Sequence, residues 1–185
     1  NPNSAQLLQY LIKHKHWSPF EMVSACLEIE TTRDIGRQII RHRSFSFQEF
    51  SQRYADVKSL EEVPFEFREC RMQDKKNRQN SIKTDDFELS SMWIAQQQKV
   101  LRAARESYQW ALDNGVAKEQ ARALLPEGLT KTRMYMAGTL RSWMHFVQLR
   151  SGVETQREHR EIALDAREVL YQQFPQIMEA WTNAG

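Results

Sequence analysis

Residues 22 to 30 alternate between apolar and polar side chains, and this pattern restricts the fold more than any other feature of the chain. An extended backbone would place one apolar set on a single side, Val23, Ala25, Leu27 and Ile29. The alternation predicts a strand with one buried face. A helical pattern follows at once, with Thr31 or Thr32 as its cap. Strands and helices must therefore pack together, which indicates an α+β fold.

The helix after this strand runs into a junction, Arg41 to Arg53, where the spacing changes from helical to period two. Arg33, Arg37 and Arg41 recur every fourth residue and share a helix face. Such a stripe is usually a solvated surface, but its position before the junction favours anion binding. Beyond Phe45, the extended pattern places phenylalanines on the same side as charged and hydroxyl groups. That mixed face suits a flat, polar-edged ligand better than a dry core.

The rest of the pattern predicts a small, mostly antiparallel sheet with long flanking helices, in a single domain spanning residues 1–185. Ser18 and Glu21 fit a capping box and predict a helix start. Residues 55 to 85 show little periodicity and predict a long loop that is functional or mobile. The predicted helices are Ser4 to His14, a long helix capped by Asp85 or Asp86 that ends near Asn114, Ala117 to Leu125, Thr139 to Leu149 and Thr155 to Phe174. The helix from Thr139 has a predicted core stripe of Leu140, Trp143, Met144 and Val147, and a second strand is predicted from Thr130 to Gly138.

Charge and apolar content exclude several classes of protein. Lys and Arg total 26 against 24 for Asp and Glu, so the net charge is only +2. A dedicated nucleic-acid binder usually has a larger basic excess, so we expect a local anion site and no nucleic-acid partner. No apolar run approaches the ~20 residues that a membrane helix needs, so we expect no membrane partner.

Arginine and histidine dominate the candidate functional residues. The arginine fork is always charged and binds phosphate in a fixed geometry. No P-loop, dinucleotide fingerprint or catalytic carboxylate pair is present, and the dispersed histidines and two cysteines predict no metal site. A nucleophilic pair of Ser51 and His42 stays open, because their separation in sequence says nothing about contact. The candidates are Arg41, Arg43, Arg53, Arg122, Arg141, Arg150, His16, His42 and His145.

The motif Arg41-His42-Arg43, with Ser51 after seven intervening residues, resembles the signature of flavin-dependent thymidylate synthases. The resemblance covers nearly the whole chain in the right order. It is most similar to the phage and large-virus branch. Further matches are His16-Trp17-Ser18-Pro19-Phe20-Glu21, Arg37-Gln38, Glu49-x-Ser51-x-Arg53-Tyr54, Ala121-Arg122 before Leu125-Pro126, Arg141, Phe146, Leu149-Arg150, Gln156 and Glu158.

The resemblance implies a reaction and its cofactors. The family converts dUMP to dTMP with 5,10-methylenetetrahydrofolate as the carbon donor. FAD, reduced by NADPH, supplies the hydride, and no cysteine nucleophile is needed. The implied assembly is a homotetramer with active sites formed between chains. The implied location is the cytoplasm of a bacterium or of an infected host. The resemblance also places the family's first strand before residue 1, so we expect part of the N-terminus to be missing from this chain.

The resemblance also implies roles for individual residues. Arg150 is the catalytic residue, which favours ionisation of the uracil at N3. The implied dUMP-binding residues are Gln38, Ile39, Ile40, Arg41, Glu49, Phe50, Ser51, Gln52, Arg53, Arg122 and Arg150, with Ser51, Arg53 and Arg122 on the phosphate. The implied FAD-binding residues are Ser18, Arg41, His42, Arg43, Glu49, Thr139, Arg141 and His145, and His16 and Tyr54 flank the folate or the flavin.

Two other interpretations remain open at this point. A nucleotide- or nucleic-acid-binding homologue without catalysis would use the arginine stripe and the basic stretch from residue 73 to 80. An inactive structural homologue is the other. Bound flavin would argue against the first, and turnover would argue against both.

Overall fold

The computed structural model describes residues 4–49 and 65–184, and within them helices and two small sheets form an α+β fold. No helix in these ranges is long and apolar enough to cross a membrane. The helices are α1 (Ser4–Lys13), α2 (Arg33–Ile39), α3 (Phe87–Asp113), α4 (Lys118–Ala121), α5 (Leu140–Arg150), α6 (Arg157–Gln173) and α7 (Pro175–Ala184), with 3-10 turns at Ser18–Glu21 and Arg122–Leu124. The strands are β1 (Ser24–Thr32), β2 (Ser46–Glu49), β3 (Arg71–Gln73), β4 (Ser81–Lys83) and β5 (Lys131–Thr139).

Three of the strands form the main sheet in the order β1-β5-β2. Strands β1 and β5 run antiparallel, because Leu140 N donates to Val23 O at one end and Arg33 N donates to Thr130 O at the other. Burial along β1 alternates as predicted, although the strand begins and ends two residues later. The predicted mostly antiparallel sheet is therefore confirmed, with β3 and β4 as a separate antiparallel pair.

The chain divides into two compact units, and the prediction of one domain over residues 1–185 stays a prediction. Unit 1 comprises the chain up to Leu27, His42–Phe47 and the chain from Tyr135 onward. In it α1 packs on α7, α7 on α6, and α6 on α5. The predicted apolar stripe of α5 is the centre of this unit, since Leu140, Trp143, Met144 and Val147 are all buried, together with Phe146.

Unit 2 comprises Glu28–Arg41 and Gln48–Met134. Helix α2 contributes the buried side chains of Ile35 and Ile39, and β5 contributes Met134. A second apolar cluster lies between α3 and α4, where Tyr108, Ala111 and Ala121 pack together with partly buried Phe65, Leu112 and Leu125.

The predicted capping box at Ser18 is wrong. Residues Ser18–Glu21 form a single 3-10 turn that follows Trp17, and no side chain caps it. Hereafter we call this segment the 18–21 turn. The carboxylate of Glu21 forms an ion pair with Arg141 of α5. This tertiary contact engages the carboxylate that the capping box would have used.

The predicted arginine stripe on α2 is also wrong. The helix ends at Ile39, so Arg41 lies beyond the helical face that Arg33 and Arg37 occupy. Arg37 forms an ion pair with Glu127, and its charge is therefore already balanced. Thr32 takes the predicted N-cap position, but its hydroxyl donates to Asp34 Oδ1 at 2.5 Å and caps no backbone N–H.

Two predictions about the junction and the following segment need correction. Phe45 is buried, with its ring 4.8 Å from Trp143, so the supposed ligand face begins inside the unit 1 core. The predicted loop contains the β3–β4 hairpin. Asp74 organises the connection, because its carboxylate accepts from the backbone N–H groups of Lys76 and Asn77 and from the Asn80 amide.

Candidate functional site

Helix α5 carries three of the predicted site residues in unit 1, and a fourth, Thr139, caps it. Its N-terminus is set by Thr139, whose hydroxyl accepts a hydrogen bond from Ser142 N at 3.2 Å, as N-cap residues do. The buried stripe then fixes the rotation of the helix. Arg141 and His145 consequently lie one turn apart beside the 18–21 turn, and Arg150 is the last residue.

Arg150 and His42 are two predicted site residues that contact each other directly through a side-chain hydrogen bond. Arg150 Nε donates to His42 Nε2 at 2.9 Å. An arginine nitrogen is always a donor, so His42 Nε2 must be the accepting nitrogen, and the proton of the neutral ring lies on Nδ1. The Phe146 ring stands edge-on to His42, with 4.9 Å between ring centroids and an angle of 86°.

A second histidine lies against this pair. His159 of α6 is 1% exposed, and its ring centroid is 6.0 Å from that of His42 and 5.8 Å from that of Phe146. Its Nε2 is buried and has no hydrogen-bond partner among residues 4–49 and 65–184. Burial, followed by the Arg150 charge and the neighbouring titratable His42, lowers the pKa of His159 from 6.5 to about 4. His159 is therefore neutral at pH 7, and Arg150 is the charged member of the cluster.

The 18–21 turn contacts α5 at two points. Glu21 forms an ion pair with Arg141, and the Trp17 ring stands edge-on to His145 at 5.0 Å between centroids. Arg141 Nε is buried and has no hydrogen-bond partner in the described part of the chain. Partial burial and then the Arg141 charge lower the pKa of His145. The structure thus brings together Ser18, Arg141 and His145, three of the predicted FAD-binding residues, around one turn.

The loop that carries the Arg41-His42-Arg43 motif is tied to the start of α5 in unit 1. Ser142 Oγ donates to Ser44 O at 3.3 Å, and Ser142 also contacts the capping hydroxyl of Thr139. The exposed Arg43 directly precedes Ser44. This places Thr139 and the loop after Arg43 at the same helix terminus.

In unit 2, the carboxylate of Glu49 is held at the end of β2. Thr132 Oγ1 donates to Glu49 Oε1 at 2.7 Å, and Arg33 Nη1 lies 3.8 Å from the same oxygen. The Glu49 side chain is 36% exposed, so one flank contacts the protein and the other is available to a ligand. Neither Thr132 nor Arg33 was among the predicted site residues.

The other predicted nucleotide-binding residues differ in exposure. Ile39 is fully buried and its side chain belongs to the core, whereas Ile40 is 45% exposed. Arg122 ends α4, and its Nε donates to Glu119 O at 3.2 Å. Gln38 and Arg41 lie at and after the end of α2, and His16 is exposed after α1. Five predicted residues, Phe50, Ser51, Gln52, Arg53 and Tyr54, lie outside the described residues.

Sequence comparison with known proteins assigns the family. A family model described as thymidylate synthase complementing protein matches residues 1–176. The flavin-dependent thymidylate synthase of Synechocystis sp. is 50% identical over 182 residues, covering 97% of this chain and 81% of that protein. The chain belongs to the flavin-dependent thymidylate synthase family. A probable member from Paramecium bursaria Chlorella virus 1 is 46% identical over 180 residues, with the same coverage of both proteins.

A solved structure matches this family member over its whole length. It is a UMP/dUMP methylase, PolB from Streptomyces cacaoi, bound with 5-Br UMP. The TM-score is 0.86 with 28% sequence identity, and the match covers 100% of this chain and 84% of that one. The similarity confirms the α+β fold of the chain.

Sequence reasoning missed residues that support the site in this family member. Glu21 was interpreted as a helix-capping residue, and the only evidence for this was its spacing of three residues from Ser18. His159 did leave a signal. It shares a helical face with Ala163, Ala166 and Leu170, all buried, so a titratable side chain stood within an apolar stripe. Thr132 left none, because its role depends on which strand pairs with β2.

Proposed function

We propose that this chain catalyses the reductive methylation of dUMP to dTMP, with 5,10-methylenetetrahydrofolate as carbon donor and FAD as cofactor. Family membership and the relatives named above support this reaction. The observation that carries it is the Arg150–His42 contact, because it joins the family motif to the predicted catalytic arginine.

The residues of unit 1 fit a flavin cofactor. The buried, unpartnered Nε of Arg141 is a donor without an acceptor among residues 4–49 and 65–184, and an anionic phosphate would satisfy it. Bound FAD, once reduced by NADPH, would supply the hydride. We assign its contacts to Ser18, Arg41, His42, Arg43, Glu49, Thr139, Arg141 and His145, with His16 and Tyr54 beside the folate or flavin.

The proposed role of Arg150 is to stabilise negative charge on the uracil ring of dUMP. A guanidinium beside N3 lowers the free energy of the deprotonated base, because opposite charges attract strongly where water is excluded. The hydrogen bond to His42 orients the guanidinium. We assign the phosphate of dUMP to Ser51, Arg53 and Arg122, and the remaining contacts to Gln38, Ile39, Ile40, Arg41, Glu49, Phe50 and Gln52.

We also propose that the working enzyme is a homotetramer whose active sites form between chains. One chain of 185 residues offers little surface to enclose dUMP, FAD and folate together. Large apolar side chains on α3 support an assembly, since Phe87 is 84% exposed and Ile94 is 44% exposed.

The decisive experiment measures dUMP-dependent oxidation of NADPH by the purified flavoprotein, with and without 5,10-methylenetetrahydrofolate. We expect bound flavin in the absorbance spectrum, and dTMP detected directly only when all substrates are present. A yellow protein that forms no dTMP under these conditions would contradict the proposed reaction. A protein that binds dUMP but no flavin would indicate a non-catalytic nucleotide-binding homologue instead.

A further inference from the structure

His159 is a buried titratable residue to which the proposed mechanism assigns no task. It lies near the start of α6, is 1% exposed, and its Nε2 makes no hydrogen bond to any residue that the structure describes. A buried polar group without a partner destabilises a fold, so an apolar residue would be the more stable choice there. Its neighbours indicate what it does, because they are the two residues of the Arg150–His42 contact.

The His42 ring is supported by two rings from two different helices. Phe146 of α5 is 4.9 Å away at 86°, and His159 of α6 is 6.0 Å away at 81°. Both are edge-to-face arrangements, which are favoured for flat rings and define their orientation. His42 itself lies in a loop between α2 and β2, so these rings restrain a side chain whose backbone is not part of a helix or strand.

The orientation of His42 determines where Arg150 is held. Arg150 is at the C-terminal end of α5, and its Nε donates to His42 Nε2. If the His42 ring turned away, Arg150 would lose this hydrogen bond and its guanidinium would become free to rotate. A neutral neighbour is also required, since a cationic ring would repel the Arg150 charge.

We propose that His159 is a positioning residue, whose ring holds His42 in the orientation that accepts from Arg150 and so places the Arg150 guanidinium against the pyrimidine. This inference rests on the proposed function. It adds His159 of α6 to the pair formed by His42 of the motif and Arg150 of α5.

The test is a double-mutant cycle between His159 and His42. His159→Leu removes the ring and the unpartnered nitrogen while keeping a similar volume. We expect kcat for dTMP formation to fall about tenfold. This is less than the loss of about 100-fold that a 1 Å misplacement of a catalytic group can cause, because Arg150 keeps its place on α5. The KM for dUMP should stay unchanged, because the phosphate is bound elsewhere. In the His42→Ala background the same substitution should lower kcat by less than about twofold, because the ring that His159 holds is then already absent. A change of about twofold is the limit within which the effects of independent substitutions usually add in such cycles.

The matched control is Leu170→Ala, a buried change on the same face of α6. It creates a cavity and lowers stability, but when the protein is folded we expect it to leave kcat unchanged relative to the background into which it is introduced. Thermal unfolding followed through the flavin absorbance verifies folding for each variant. His159→Gln, which is neutral but has no ring, replaces His159→Leu in the cycle if the latter does not fold.

Two results would overturn the inference. The first is an unchanged kcat in the His159 variant. The second is an equal loss in both backgrounds, which would mean that His159 acts independently of His42. These failures are distinguishable from failure of the proposed function, in which the parent protein itself would form no dTMP.

Discussion

Arg150 is oriented through one of its three guanidinium nitrogens. Nε is engaged with His42, and this contact does not use the two terminal nitrogens. A guanidinium held in this way can turn two donors toward a ligand without losing its own orientation. Preorganised donors of this kind stabilise developing negative charge at low reorganisation cost.

Arg150→Ala should abolish dTMP formation while largely sparing FAD binding. Losing one preorganised donor to a developing anion typically lowers kcat by about 100- to 1000-fold. Single-turnover formation of dTMP and flavin absorbance after gel filtration measure the two properties separately. Arg167→Ala, an exposed change on α6, is the control and should leave both unaltered. Full activity in Arg150→Ala would contradict the catalytic role.

His159 should make the fold less stable as the pH falls. Its folded-state pKa is about 4, below the value of 6.5 for an unperturbed histidine, with Arg150 and His42 as the facing charged or titratable groups. The unfolded chain therefore binds more protons than the folded chain between these values. Stability should fall from about pH 6.5 to about pH 4, by at most ~3 kcal/mol from this group, and become constant below.

Urea unfolding across this pH range measures the effect. The free energy of unfolding of His159→Leu should lose less on acidification than that of the parent, because the leucine cannot be protonated. Identical pH dependence in the two proteins would show that His159 contributes nothing to acid sensitivity.

At the scale of elements, single side chains determine where helices and turns begin. Asp86 caps the 27-residue α3 by accepting from Leu89 N at 2.9 Å, and Thr139 caps α5 in the same way. Asp74 plays a comparable part in the β3–β4 hairpin, where backbone hydrogen bonds from Lys76 and Asn77 lower the pKa of its carboxyl group. Each carboxylate or hydroxyl supplies an acceptor that backbone N–H groups otherwise lack.

Asp86→Ala should lower the free energy of unfolding by ~1 kcal/mol, the usual cost of removing an N-cap acceptor. Asp85→Ala is the matched control, since Asp85 is the adjacent exposed aspartate and makes no cap hydrogen bond. Urea denaturation of both variants beside the parent protein measures the difference. Equal destabilisation by the two substitutions would mean that charge near the helix end, and not the cap itself, is responsible.

At the scale of the whole molecule, the proposed assembly makes activity depend on protein concentration. Active sites formed between chains exist only in the associated state, so specific activity should follow the fraction of tetramer. Light scattering should give four times the 21.9 kDa mass of one chain at high concentration. Dilution that dissociates the assembly should lower turnover per chain in parallel. A fully active monomer would exclude shared sites.

The amino-acid sequence alone determined the elements whose evidence is local. The alternation of β1, the apolar stripe of α5 and the aspartate cap of α3 each depend on residues a few positions apart. The first two were predicted, and the cap was narrowed to Asp85 or Asp86. The motif Arg41-His42-Arg43 likewise pointed to the family without any structure. Periodicity and capping are set by the backbone geometry of a single segment, so they can be predicted from that segment.

Only the tertiary structure decided which side chains meet. Glu21 pairs with an arginine 120 positions away, Phe45 enters the α5 core, and His159 packs against His42. Each local pattern was compatible with another outcome. Glu21 fitted a capping box, Phe45 fitted a ligand face, and His159 fitted a plain apolar stripe. Ion pairs and ring contacts depend on how distant elements pack, and no spacing within one segment contains that information. The orientation of Arg150, on which the proposed chemistry rests, belongs to this second class.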